Sequence, residues 1–225
     1  LEAQLLAPVP VANAGFGISL AFDGVTAIVG GVTDTWVFER AAAGSWSQSQ
    51  MIAHRGIKTV LQGELLLLGD FSANLGGTNV GQVSTYARSG GIWQLQSVLT
   101  GSISEQRFGR DVALGQDLLA ISSSGSNQPV RIFRRSGTTW LPESTLTASE
   151  LTTGCSAVAV LNGVVAIGCT VQPSPGAISA VYLFDKQNGS WGQRQKLSQL
   201  RADSGFGNDL VFHPDGSLFI TAQGD

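Results

Sequence analysis

Phe108-Gly109-Arg110-Asp111-Val112-Ala113-Leu114, then Gly115-Gln116-Asp117, then Leu118-Leu119-Ala120-Ile121: this run opens the stretch of sequence that decides the fold. It continues through a small-residue loop to Val130-Arg131-Ile132-Phe133-Arg134-Arg135 and turns at Ser136-Gly137. It closes on Trp140-Leu141-Pro142-Glu143-Ser144-Thr145-Leu146. Short apolar or alternating runs bounded by Gly, Asp and Ser read as strands joined by tight turns. Four of them in succession are the content of one β-propeller blade.

The stretch recurs on both sides. Its opening returns as Phe16-Gly17-Ile18-Ser19-Leu20-Ala21-Phe22 and as Phe206-Gly207-Asn208-Asp209-Leu210-Val211-Phe212, with degenerate copies over 55–61 and 154–160. An apolar second strand follows each copy, for example Leu66-Leu67-Leu68-Gly69 or Val165-Ala166-Ile167-Gly168. Third strands fall at 36–40, 83–88, 130–135 and 181–185. Fourth strands run from Trp46 to Ile52, Trp93 to Leu99, Trp140 to Leu146 and Trp191 to Leu197, so four of the five Trp share one repeat position. A four-stranded sheet buries little alone, and repeated units of this kind are stable only when each covers the next. Second strands, the most continuously apolar, are expected between neighbours, fourth strands at the wet rim, and the repeated Trp in the seams between blades.

The fold class read from this pattern is all-β, a β-propeller of four-stranded antiparallel blades. Blades are expected at 16–52, 55–99, 108–146 and 154–197, with a partial fifth at 206–225 and residues 1–6 as a closing outer strand. Residues 1–225 then form a single propeller domain or part of one. The third strand of the fifth blade is missing from this tally. A fragment of a larger propeller, a five-bladed ring with a three-stranded closing blade, and a strand donated by another chain each account for it; the fragment is preferred because the break falls inside a repeat. Leu1 carries neither an initiator Met nor a signal-peptide pattern, consistent with processing or with a longer parent.

Composition agrees. Charged residues are 13% of the chain and Gly is 29 of 225, a balance of short strands and tight turns. A net charge of −3 with scattered basic residues argues against nucleic acid. No apolar run approaches the roughly 18 residues of a membrane-spanning helix, so no membrane insertion is expected.

The pattern Phe-Gly-x-x-Val-Ala-Leu, a second strand ending in Gly at 30, 69 and 168, a Val-Tyr-Leu-Phe strand and a Trp-initiated strand resemble the FG-GAP repeats of integrin α-subunit propellers. The resemblance covers nearly the whole chain. It implies a propeller that works outside the cell in adhesion or ligand binding. The family often carries a calcium loop between the first two strands, but the turns here, such as Asp23-Gly24 and His213-Pro214-Asp215-Gly216, lack the oxygen ligands that Ca²⁺ needs. No cofactor is expected.

Cys155 and Cys169 flank one first–second strand hairpin. If its turn is a three-residue loop centred on Asn162, they lie directly opposite each other, close enough for a disulfide; a two-residue turn would offset them. Asn188-Gly189-Ser190 is the one N-glycosylation sequon and also reads as a type I′ turn. His54 and His213 stand alone, without a nucleophile motif. No phosphate loop, zinc spacing or dinucleotide fingerprint occurs, and no polar cluster drawn from several blades is legible. The loops at 70–81 and 122–128 are long enough to form a binding rim. These readings lead to a non-catalytic, extracellular or cell-surface propeller acting in adhesion or as a structural module, with other proteins, surface-assembly components or glycans as partners. A carbohydrate-binding lectin is the alternative, and an enzyme with its site at the propeller axis the third reading.

Overall fold

In the computed structural model, residues 4–7, 15–76, 79–102, 106–125, 127–150, 152–171, 178–198 and 205–222 are described. They contain no helix and form eighteen strands. The first blade is β1 (Ser19–Phe22), β2 (Thr26–Gly30), β3 (Thr35–Arg40) and β4 (Trp46–Ile52). The second is β5 (Lys58–Gln62), β6 (Leu65–Asp70), β7 (Gln82–Ser89) and β8 (Ile92–Thr100); the third is β9 (Val112–Leu114), β10 (Leu118–Ile121), β11 (Val130–Ser136) and β12 (Thr139–Leu146). The fourth is β13 (Thr152–Leu161), β14 (Val164–Val171), β15 (Ile178–Gln187) and β16 (Ser190–Ser198). A fifth sheet holds β17 (Leu210–Phe212) and β18 (Leu218–Ile220). Each four-stranded sheet pairs its strands antiparallel in sequence order, and β1, β5, β9, β13 and β17 stand side by side as inner strands. This is propeller architecture.

The core is a series of seams. Ile28, Val37 and Ile52 of the first blade pack with Leu66, Leu68 and Trp93 of the second. Leu67 and Val83 of the second meet Val112, Leu119, Ile121 and Trp140 of the third. Ile132 and Leu146 of the third meet Val158, Ile167 and Tyr182 of the fourth, and Ala166 and Val181 of the fourth meet Leu210 of the fifth. Fully burying one such aliphatic side chain contributes about 1.5–3 kcal/mol, against about 0–1 kcal/mol for an exposed ion pair. The seams therefore dominate the stability. Trp93 and Trp140 are buried in them and Trp191 packs at the edge of the third, whereas Trp46 of the first blade is half-buried beside Phe22.

Two details differ from the sequence reading. The Phe-Gly pairs precede the inner strands instead of lying in them: Gly17, Gly109 and Gly207 have φ of 88°, 83° and 77°, a left-handed turn from which the strand starts. Residues 1–3 of the expected closing strand lie outside the described residues. Gln4, Leu5 and Leu6 form no strand, and Leu5 packs on the first blade. A third feature carried no sequence signal. Every outer strand has a β-bulge at the third residue after its Trp: Ser49, Gln96, Glu143 and Arg194.

The glycines at one repeat position of the second strands, Gly30 in β2, Gly69 in β6 and Gly168 in β14, have a steric cause. A Cβ on Gly30 or Gly168 would lie 1.9 Å from the carbonyl oxygen of Gly56 or Gly207 in the following blade. The backbones of successive blades touch there, and no side chain fits. Gly168→Ala is expected to cost about 3 kcal/mol or more in chemical denaturation, the upper end for overpacking because the obstacle is backbone. Gly192→Ala, where nothing stands within 4 Å, should change stability by less than about 1 kcal/mol. Equal effects would refute the close approach.

The bulge at Glu143 joins the third and fourth blades. Its carboxylate accepts from Trp191 Nε1 at 2.7 Å and Lys186 Nζ at 2.9 Å across the seam, and from Arg134 in its own blade. The Arg134 hydrogen bond is the main cause that holds the Glu143 carboxyl at about 2, well below the ordinary glutamate value. A folded-state value below the unfolded one stabilises the fold at neutral pH, and the contribution is lost as pH falls through the acid range. Melting curves from about pH 5 to about pH 2 should fall less steeply for Glu143→Gln than for the unaltered chain; parallel slopes would show that this carboxylate is not linked to folding.

Candidate ligand site at the mouth of the axial channel

The inner strands of all five sheets line a channel of about 400 Å³, bounded by residues such as Val60, Ala113, Val158 and Val211. At one end it opens into a cavity of about 420 Å³ lined by Lys58, Arg110, Asp111, Ser156, Asn208 and Asp209. These side chains come from four different blades, and all lie at or just ahead of the inner strands. Strand register places Lys58, Asp111 and Asp209 at one repeat position, opposite Gly69, Ser122 and Thr221; Arg110, Ser156 and Asn208 occupy the position before it. The sequence analysis found no polar cluster from several blades. The structure has one.

Asp111 is the structural centre of this mouth. It is buried, and its Oδ1 lies 2.7 Å from Lys58 Nζ of the second blade and accepts from its neighbour Val112 N at 2.9 Å. Its Oδ2 accepts from Val158 N of the fourth blade at 2.8 Å. The Asp111 amide donates to Ser122 Oγ at 2.9 Å. One carboxylate thus ties three blades at the axis, and the charge of Lys58 is spent on it. Asp209 repeats the local part: its Oδ1 accepts from Leu210 N at 3.0 Å and its amide donates to Thr221 Oγ1 at 2.9 Å, but the side chain is exposed. Arg110 is exposed with its guanidinium 5.0 Å from the ring centre of Phe71. Phe71 belongs to the 70–81 loop, so that expected rim does reach the mouth. The described residues of the 122–128 loop are not among those that line it, though Ser122 supports Asp111.

Ser156 reaches the cavity because of a bulge, and the same bulge explains the disulfide. The β13–β14 turn is the two-residue Asn162-Gly163, with Leu161 opposite Val164, and not the three-residue loop centred on Asn162. That register alone would offset the cysteines by one residue. An extra residue at Ser156 shifts it back, so that Cys155 faces Cys169 at a Cα separation of 4.0 Å, and the disulfide forms in the core. A bulge turns one side chain out of the ladder and leaves it free to point elsewhere. Here that side chain is Ser156.

The remaining expected residues lie elsewhere. Asn188 is exposed at the tip of the β15–β16 hairpin, with φ of 53° followed by Gly189 at 84°, the type I′ turn its dipeptide calls for. His54 Nδ1 meets the Tyr86 hydroxyl near the first seam, and His213 sits 3.1 Å from Asp215 in its turn. Burial pushes the Tyr86 hydroxyl up to about 12. No group of three or more metal-ligating side chains occurs among the described residues, and no helix there is long and apolar enough to cross a membrane.

No family model matches the chain, and no curated protein matches it in sequence. Solved structures do match it. A provisionally assigned 6-phosphogluconolactonase from Bacteroides fragilis superposes with a TM-score of 0.60 at 14% identity, and one from Bacteroides uniformis with 0.62 at 15%. Each match covers 91% of this chain and 62% of the other. YjhT superposes at 0.57 with 16% identity, over 95% of this chain and 72% of its own. The likeness is one of fold. It nonetheless corrects the expectation of a non-catalytic adhesion or structural module: two structures that share this arrangement of blades carry the name of an enzyme, so the arrangement gives no ground for excluding catalysis.

Asp111 predicts a measurable asymmetry. Asp111→Asn removes the partner of Lys58 and at least one of two backbone hydrogen bonds inside the ring. A loss of about 2–3 kcal/mol in urea denaturation is expected. Asp209→Asn, with one intrablade bond and an exposed side chain, should cost less than about 1 kcal/mol. A small effect at Asp111 would mean that it does not tie the blades.

Proposed function

We propose that the axial mouth binds a compact sugar derivative carrying an acidic group. The observation that carries this reading is the convergence of Arg110, Ser156, Asn208 and Asp209 from three blades around one polar cavity. Its volume of about 420 Å³ suits a small ligand, and walls made of charges, amide and hydroxyl favour a polar one. With Lys58 committed to Asp111, the guanidinium of Arg110 is the cation left to meet a carboxylate or phosphate, which its planar fork can do bidentately. The carboxylate of Asp209, the amide of Asn208 and the hydroxyl of Ser156 match the hydroxyl groups of a sugar. The buried disulfide supports an oxidising compartment, and the exposure of Asn188 is what a glycan acceptor in such a compartment requires.

Hydrolysis of a sugar lactone at the same place is the second reading. It is supported by the enzyme name borne by two proteins of like fold. In this reading a water attacks the lactone carbonyl carbon, the ring C–O bond breaks, and the acid and its hydroxyl are released. Asp209 would orient the water, and Arg110 would stabilise the negative charge that develops on the carbonyl oxygen.

Calorimetry with 6-phosphogluconate and pH-stat assays with 6-phosphogluconolactone and gluconolactone test both. Saturable binding is expected, weakened at least about tenfold, or about 1.4 kcal/mol, by Arg110→Ala, with the melting temperature unchanged. Binding without turnover removes the hydrolase reading; absence of binding by acid and lactone alike removes both.

A further inference from the structure

We infer that the faces left bare on the first and fifth blades are docking surfaces for additional β-sheet wedges, which close the circle and complete the axial mouth. The evidence is a comparison of each blade with its siblings. By strand register, Phe219 corresponds to Ile28, Leu67, Ala120 and Ala166, all of which the following blade covers to 1% exposure or less. Phe219 is 59% exposed. Val211 corresponds to Ala21, Val60, Ala113 and Ala159, which pack into the seam with the next blade; it is 60% exposed. At the other end, Leu20 corresponds to Thr59, Val112, Val158 and Leu210, each buried by the blade before it, and is 65% exposed. Large apolar residues thus stand bare at the positions that bury a neighbour everywhere else in the chain.

A polar group agrees with the apolar ones. Asp111 and Asp209 share two bonds, the carboxylate to the next amide and the amide to a second-strand hydroxyl. Asp111 makes a third, from Oδ2 to the amide of Val158 in the following blade. Asp209 makes no counterpart among the described residues. The occupant therefore presents an inner strand with an amide at the position of Val158 and apolar side chains against Val211 and Phe219, the chemistry of another blade. That amide takes one lone pair of Asp209 Oδ2 and leaves the other for the mouth.

A second copy of this chain does not fit the vacancy. The chain covers 62% of the length of the propellers it superposes on, so the arc that remains is smaller than the chain itself. Copies stacked head to tail would form an open array instead of a ring. The second to fifth blades lend the mouth one or two residues from the register positions of Arg110 and Asp111, so the added wedges would place theirs between Asn208-Asp209 and Ile18-Ser19. The site is incomplete without them.

Hydroxyl-radical footprinting of the protein isolated from its own cells tests this independently of any ligand. Leu95 and Leu141, exposed on outer strands, are the controls. Leu20 is expected to oxidise at least about tenfold more slowly than either, and Phe219 more slowly than the half-buried Phe71. Oxidation of Leu20 and Phe219 at the exposed rate overturns the inference. So does protection that vanishes on dilution while the mass halves, since the cover would then be a second copy.

Discussion

Backbone contact between successive blades is the constraint on which the structure depends. At Gly30 and Gly168 the second strand of one blade lies so close to the glycine ahead of the next inner strand, Gly56 or Gly207, that a single carbon atom has no room. That approach sets the pitch of the arc near the axis. It brings the apolar second strands within reach of one another, and the seams between Ile28 and Leu66, Leu67 and Leu119, or Ile132 and Ile167 follow from it. Where the third blade carries Ser122 in place of Gly, the following inner strand carries Cys155 in place of the glycine, and the hydroxyl serves the amide of Asp111. The exception is a matched change on both sides of one seam.

The same convergence makes the candidate site. Inner strands that crowd together leave their apolar side chains to the seams, and the mouth is lined by Lys58 where its strand begins, by residues just ahead of theirs, and by the bulged Ser156. Asp111 spends its carboxylate on Lys58, Val112 and Val158 and is structural. Arg110, Asn208 and Asp209 are not held in that way. A division of labour between nearly identical positions is what a repeat protein permits: all copies must pack, and only some need to bind.

Much of the fold was legible. Four Trp at one repeat position, second strands of continuous apolar residues and Gly-rich turns placed all four complete blades to within a few residues, because burial on both sides of a wedge leaves a periodic trace. The polar mouth was legible only in part. Arg110-Asp111 and Asn208-Asp209 sit at the two positions after a Phe-Gly, and aligning the repeats on that dipeptide would have collected them, with Lys58 added only through the degenerate copy that begins Arg55-Gly56. Read one blade at a time, they are scattered charges on turns. The outer-strand bulges and the one at Ser156 left no mark, since a bulge is a mismatch between two strands and appears in neither sequence.

What the sequence by itself determined is the wedge: its strand order, its buried faces and its need for neighbours. All of these follow from local alternation of side chains and from turn chemistry. Only the tertiary structure decided which polar residues meet at the axis, that Cys155 faces Cys169 by way of a bulge and not by the length of its hairpin loop, and which faces stay bare. Those outcomes depend on how whole blades lie against one another, a relation between distant segments that no local pattern encodes.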